Sequence, residues 1–148
     1  MSASQPEISL VTETFNLDEG QGIEPTRQAL FRLCEMARVH GNAEVILADS
    51  MPPNLLVASL VQKFPQVRHV SRPGLGYEGI KNVAASEARG TYVVYLDSDC
   101  LPVSPNWLEA LLQPLRQGKA QAATGLTRYH GNSLLHRVME VLDFGFVV

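Results

Sequence analysis

Thr91-Tyr92-Val93-Val94-Tyr95-Leu96-Asp97-Ser98-Asp99-Cys100 is the stretch that decides how this chain is read. From Thr91 to Leu96 it is an unbroken run of strand-favouring and apolar residues, the pattern of a buried parallel strand. It then runs straight into two carboxylates one residue apart, Asp97 and Asp99. A bare Asp-x-Asp arises often by chance, but this one sits where a strand ends. In open α/β sheets the C-terminal ends of the strands form the edge that binds ligands. Alternate residues of an extended chain point the same way, and in a turn the two acids still lie close. Carboxylates that close repel, and a cation between them relieves the repulsion. Mg or Mn suits the spacing, because hard cations take oxygen ligands and let phosphate oxygens complete the shell. A nucleoside diphosphate is the guest such a pair fits.

Outward from this strand, short apolar runs alternate with helical patterns, without internal repeats or low-complexity blocks. Immediately upstream, Arg72-Pro73-Gly74-Leu75-Gly76 reads as a turn, followed by a helix from Tyr77 to about Arg89 that Gly90 stops. Before it lie a short strand from Val67 to Val70 and a helix from Leu55 to Lys63, ending before Pro65. A strand from Glu44 to Ala48 precedes these, with Asp49 and Ser50 at its C-terminal end. The first strand runs from Ile8 to Val11 and finishes on Thr12-Glu13-Thr14-Phe15-Asn16, with a loop carrying Asp18, Glu19, Gly20 and Gly22 after it. Pro25 opens the first long helix, in which Ala29, Leu30, Leu33, Met36 and Ala37 keep helical spacing, and Gly41 closes it. Downstream, Pro102 and Pro105 fix a turn. Asn106 to Gln117 reads as a helix that Pro114 kinks or shortens. Ala120 to Thr124 is expected to be a fifth strand, and Ser133 to Val148 a closing helix. The end on Phe146-Val147-Val148 is expected to pack on something absent, so the domain is expected to be incomplete at its C-terminus.

This alternation predicts an α/β class: a Rossmann-like, doubly wound, mainly parallel sheet with helices on both faces, as a single domain over residues 1–148. Right-handed crossovers place all strand C-termini on one edge, so Thr12 to Phe15, Asp49 and the Asp97-Ser98-Asp99 turn are expected to converge there.

Composition narrows the function. A length of 148 residues suits one domain with a real core. The net charge is -3, from 12 basic and 15 acidic residues, and the basic residues are scattered, so no nucleic-acid partner is expected. The two cysteines, Cys34 and Cys100, form neither a disulfide framework nor a C-x-x-C pattern, which points to a reducing compartment. No run reaches the ~18 apolar residues that span a bilayer, and Met1 to Glu7 lacks the features of a signal peptide. None of His40, His69, His130 and His136 has a second ligand at metal spacing, so surface, capping or core roles are expected. Cys100 follows two acids, which disfavours its thiolate and any nucleophilic role. Gly74, Gly76 and Gly79 complete a G-x-G-x-x-G, but a dinucleotide fingerprint belongs after the first strand of its unit.

Taken together, Thr12 and Thr14-Phe15-Asn16, then Ala48-Asp49-Ser50, Gly74-Leu75-Gly76, Lys81-Asn82, Gly90-Thr91-Tyr92 and Asp97-Ser98-Asp99 follow one another in an informative order. In that order and spacing, over roughly residues 7 to 125, the chain resembles the nucleotide-binding half of family 2 glycosyltransferases of the GT-A fold. The resemblance implies sugar transfer from a nucleotide-diphosphate donor to an acceptor hydroxyl of a glycan, lipid or small molecule, with inversion and a divalent cation, Mn or Mg. It implies that Thr12, Thr14 and Phe15 line the nucleobase pocket and that Asp49 accepts a hydrogen bond from the base. It further implies that Lys81 lies near ribose or phosphates, Asp97 faces ribose or sugar, and Asp99, with Asp97, holds the cation. A cytoplasmic location, or the inner face of a membrane, goes with it.

Departures from the family pattern bear on the base rather than on the metal and diphosphate. Ala48 replaces an acid, Phe15 lacks a tyrosine hydroxyl, Gly74 replaces Asn, Ala84 replaces Gly, and Lys81 in place of Arg removes a bidentate donor. No residue is assigned as the catalytic base, since Glu140 and Asp143 fall on what reads as a solvated helix face. Two other functions fit parts of the pattern: a nucleotide-binding module without turnover, and a nucleotidyltransferase. The acids Asp18 and Glu19 after the first strand repel a triphosphate and argue against the latter.

Overall fold

The computed structural model describes residues 5–18, 22–128, 133, 134 and 138, and the chain forms two compact units, Met1–Val103 and Ser104–Val148. In the first unit, strands β1 (Ile8–Glu13), β2 (Ala43–Asp49), β3 (Arg68–Ser71) and β4 (Tyr92–Tyr95) form one sheet. All pairs are parallel, in the order β3-β2-β1-β4. The strands alternate with helices α1 (Phe15–Asp18), α2 (Glu24–His40), α3 (Leu55–Lys63) and α4 (Tyr77–Glu87). This is the α/β, Rossmann-like arrangement that the alternation of patterns predicts.

Local chemistry sets the ends of these elements. Pro25 sits in the first turn of α2, where its missing N–H costs nothing. Gly41 ends the helix with φ 78°, a left-handed conformation that glycine alone adopts freely, and its N–H bonds Ala37 O at 2.9 Å. Asn54 caps α3, its side chain accepting from Leu56 N at 2.7 Å. α4 stops at Glu87, two residues before the expected Arg89, and Ala88 is already extended. β1 runs on through Thr12 and Glu13, past the expected Val11, because both residues pair with β2 at Leu47 and Ala48.

β1 is buried along its whole length. On one face Val11, Ile46, Ala48 and Val70 pack against Ile80 and Ala84 of α4. By alternation Ile8, Leu10, Val45 and Leu47 face the opposite way, and they too are buried. α2 packs on the same two strands with Ala29, Leu30 and Leu33 inside. Burying each such side chain is worth roughly 1.5–3 kcal/mol, so β1 and β2 anchor everything that follows.

Two expectations are corrected. Among the described residues β4 is an edge strand of the sheet, with Val94 buried and Tyr95 exposed, rather than a strand buried on both sides. Its aromatic residues tolerate this, since tyrosine keeps one polar end in water. Residues 120–124 form no strand and are largely exposed. Alanine dominates that stretch and offers too little side-chain area to reward pairing.

In the second unit α5 (Trp107–Arg116) runs through Pro114 and buries Leu108 and Leu112, one turn apart. The expected helix from Ser133 to Val148, with His130, His136, Glu140 and Asp143, lies largely outside the described residues, as do Glu19 and Gly20 of the first loop. No described helix is long and apolar enough to cross a membrane.

Candidate active site

The chain proceeds outward from β1 to β2 and β3 on one side, then returns to place β4 on the other side of β1. Such a reversal opens a crevice at the C-terminal ends of the two strands. A cleft of about 290 Å³ occupies that position, lined by Glu13, Phe15, Asn16, Tyr77, Asp97 and Asp99.

One wall follows from β1. Glu13 is the last strand residue and is 1% exposed. A carboxylate so buried needs partners, and it has them: Phe15 N donates to one oxygen, and Ser98 N and Oγ donate to the other at 3.2 Å each. Asn16 Nδ2 donates in turn to Ser98 Oγ at 3.0 Å. Glu13 thus ties the end of β1 to the turn that carries both aspartates.

That turn forms the facing wall. Leu96 N still bonds Val11 O at 2.9 Å, and the chain then folds over, with Cys100 N bonding Asp97 O at 2.9 Å. Asp97 and Asp99 therefore reach the cleft from a tight turn rather than from an extended strand. Asp99 is exposed. Asp97 is half-committed: Tyr77 Oη donates to its Oδ1 at 2.7 Å, and Lys81 Nζ contacts the same oxygen at 2.5 Å. Burial alone would raise the Asp97 pKa, but the Lys81 ammonium and the Tyr77 hydroxyl outweigh it and hold the carboxyl below its usual range. Cys100 has the opposite environment. Burial, then the charges of Asp99 and Asp97, push its thiol up to about 11, which agrees with the expectation of an inert cysteine.

The third wall comes from α4. Tyr77 and Lys81 are four residues apart, so they share a helix face. The Lys81 ammonium lies 3.9 Å from the centre of the Tyr77 ring and also bonds its hydroxyl. The Tyr77 ring meets Phe15 edge to face, with centroids 5.4 Å apart at 65°. An aromatic corner and a pair of carboxylates therefore face one small space.

The other residues singled out from the sequence lie behind the rim rather than on it. Thr14 Oγ1 donates to Asp49 Oδ1 at 2.9 Å, and Met51 N donates to the same oxygen at 3.0 Å. His69 Nε2 lies 3.0 Å from Asp49 Oδ2. Asp49, 4% exposed, is engaged at both oxygens by the protein itself. Thr12 is 1% exposed, and its Oγ1 has no hydrogen-bond partner among the described residues. Lys81 stands beside the cleft and reaches it through Asp97.

Glu13, Ser98 and Tyr77 were given no role from the sequence, and His69 only a surface or core one. Two signals were available. Glu13 is a lone acid in a strand of buried residues, which demands a local acceptor role. Tyr77 stands one helical turn before Lys81. The Ser98 and His69 contacts join residues 85 and 20 positions apart, which no local pattern announces.

Two aspartates on a turn supply hard oxygen donors, and Lys81 already balances one of them. Among the described residues no group of three or more His, Cys, Asp or Glu could hold a metal ion. Asp97 and Asp99 are hard oxygen donors, too few by themselves for an all-protein cation site.

A profile of the family described as "Glycosyl transferase family 2" matches residues 9–142. No curated protein matches the chain. Among solved structures the chain is similar to S. aureus TarS 1-349, at 19% identity and a TM-score of 0.45. That alignment covers 63% of this chain and 27% of the other.

Proposed function

This chain belongs to glycosyl transferase family 2, and from that premise we propose that the crevice between β1 and β4 binds a nucleotide-diphosphate sugar for metal-dependent, inverting transfer to an acceptor hydroxyl. The observation that carries the reading is the joint lining of one cleft by Asp97, Asp99, Phe15 and Tyr77. Carboxylates alone would repel a diphosphate, and aromatic rings alone would not select one. Side by side they suit a base that stacks or wedges on rings and a diphosphate bridged to acids through a cation.

In this reading Asp99 and Asp97 hold Mn or Mg. When bound, that ion supplies charge neutralisation to the departing nucleoside diphosphate. Phe15 and Tyr77 form the side on which the nucleobase rests. Thr14 and Asp49 brace the rim from behind, with Asp49 at the end of β2 bonded to Thr14 just after β1 and to His69 of β3, and Thr12 is buried. Glu13 holds the Asp97-Ser98-Asp99 turn against β1. Since Glu13 is bonded to Phe15 and Ser98, and Asp97 to Lys81 and Tyr77, neither has the freedom of a general base. Cys34 and Cys100 are both free thiols, which supports a cytoplasmic place of action.

Calorimetric titration with UDP and with GDP, each with and without Mn, tests the reading on the wild-type chain and on Asp99→Ala. Metal-dependent binding of one nucleotide, abolished in Asp99→Ala, is the expected result and names the base. Failure of both nucleotides to bind a folded protein would sink the donor-site assignment.

A further inference from the structure

Three groups converge on one oxygen of Asp97. Its Oδ1 accepts from Tyr77 Oη at 2.7 Å and from the Lys81 ammonium at 2.5 Å, and Lys81 also bonds the Tyr77 hydroxyl and sits over its ring. The Lys81 side chain is 20% exposed and that of Asp97 42%, so the pair is only partly withdrawn from water. Its position is fixed by helix geometry: Tyr77 and Lys81 lie one turn apart on α4. Among the described residues the other acids lining the cleft, Glu13 and Asp99, make no ion pair, and Lys81 is the only basic residue paired with any of the three.

Resting on the donor-site reading above, we propose that Lys81 is an internal counter-cation that occupies Asp97 while the cleft is empty, and that a divalent cation must displace it to load. A cation held by two carboxylates gains most when both are unneutralised, and here one is already paired. Lys81 therefore weakens metal binding in the absence of nucleotide. A nucleotide diphosphate brings oxygens of its own and shifts the balance towards the metal. The consequence is coupled loading: metal alone binds poorly, and metal with nucleotide binds well. The pair also spares the apo protein two uncompensated aspartates side by side in one cleft.

The test is calorimetric titration of Mn, without nucleotide, into the full chain carrying Lys81, Lys81→Met or Lys81→Arg. Removing an ion-pair partner of this partial exposure is expected to tighten Mn binding by about fivefold in Lys81→Met. Lys81→Arg keeps the charge and pairs as well or better, so it binds Mn no more tightly than the wild type. Repeating the titration with UDP or GDP present gives the coupling, which falls in Lys81→Met because the metal no longer needs the nucleotide to compete. Equal Mn affinity in Lys81→Met and wild type, or weaker affinity in Lys81→Met, overturns the counter-cation role and leaves the donor site standing. Tightening in Lys81→Arg as large as in Lys81→Met also overturns it. No Mn binding by any of the three folded proteins, with or without nucleotide, removes the metal site and this proposal together. Lys81→Gln, checked by circular dichroism, replaces Lys81→Met if the latter is misfolded.

Discussion

At the scale of single residues, the cleft is a set of carboxylates in unequal environments. Asp97 is held below the ordinary 3.8 of an aspartate by Lys81 and Tyr77 against the opposing effect of burial. Glu44, at the far end of the sheet, is held below 4.5, with burial again opposing and Ser9, Arg89 N and Arg68 prevailing. A depressed carboxyl contributes stability that is complete above its unfolded-state pKa and is lost as pH falls through the folded value. The melting temperature is therefore expected to stay level from about pH 7 to 5 and to fall below about pH 4. Thermal melts across that range check this, and Asp97→Asn should flatten part of the acid limb. Cys100 yields a second expectation. With its thiol at about 11, it should react slowly with iodoacetamide at neutral pH, as mass spectrometry of the alkylated chain would reveal; rapid labelling would contradict the burial and charge described for it.

At the scale of elements, two positions carry more than their size suggests. Gly90 enters β4 where a Cβ would lie 2.4 Å from Ser9 N and 2.6 Å from Ile8 C, both backbone atoms of β1. Backbone in a buried strand cannot step aside, so Gly90→Ala should cost about 2–3 kcal/mol in urea denaturation. Asn54 satisfies the first turn of α3 through Leu56 N, and Asn54→Ala should cost about 1 kcal/mol in the same measurement. A cost for Asn54→Ala equal to that of Gly90→Ala would mean that the close approach of β4 to β1 is relieved by movement. The same comparison explains why some elements were legible and others were not. α3 has its cap, its apolar positions and a closing Pro65 all within a dozen residues, and its sequence-derived bounds match the structure. β4 was legible as a strand but not as an edge strand, because an apolar run does not state how many neighbours it has.

At the scale of the whole molecule, the first unit is organised by the burial of β1 and β2, while residues 101–106 and 117–128 lack regular structure. Val103 is 98% exposed at the boundary between the two units. Brief elastase digestion is expected to cut after Val103 and among the exposed residues of 121–128 well before it cuts between Ile8 and Leu96, since buried, hydrogen-bonded backbone must unfold first. Mass spectrometry of the early fragments checks this. Initial cuts inside the sheet would mean that the strands open more readily than their burial implies.

The amino-acid sequence by itself determined the α/β class, the succession along the chain of four strands and four of the five described helices, and the place of Asp97 and Asp99 at a strand end. Those features rest on periodicity, caps and breakers, which act within a few residues. The fifth strand expected over residues 120–124 was misread because an alanine-rich run satisfies an apolar pattern without offering area to bury. Only the tertiary structure decided which side chains meet: Glu13 with Ser98, Asp49 with Thr14 and His69, and Lys81 with Tyr77 and Asp97. The parallel sheet brings together strand ends separated by long crossovers, and the partner of a buried polar group is chosen by that convergence. A local pattern can say that Glu13 needs a donor; only the packed sheet can say that the donor is Ser98.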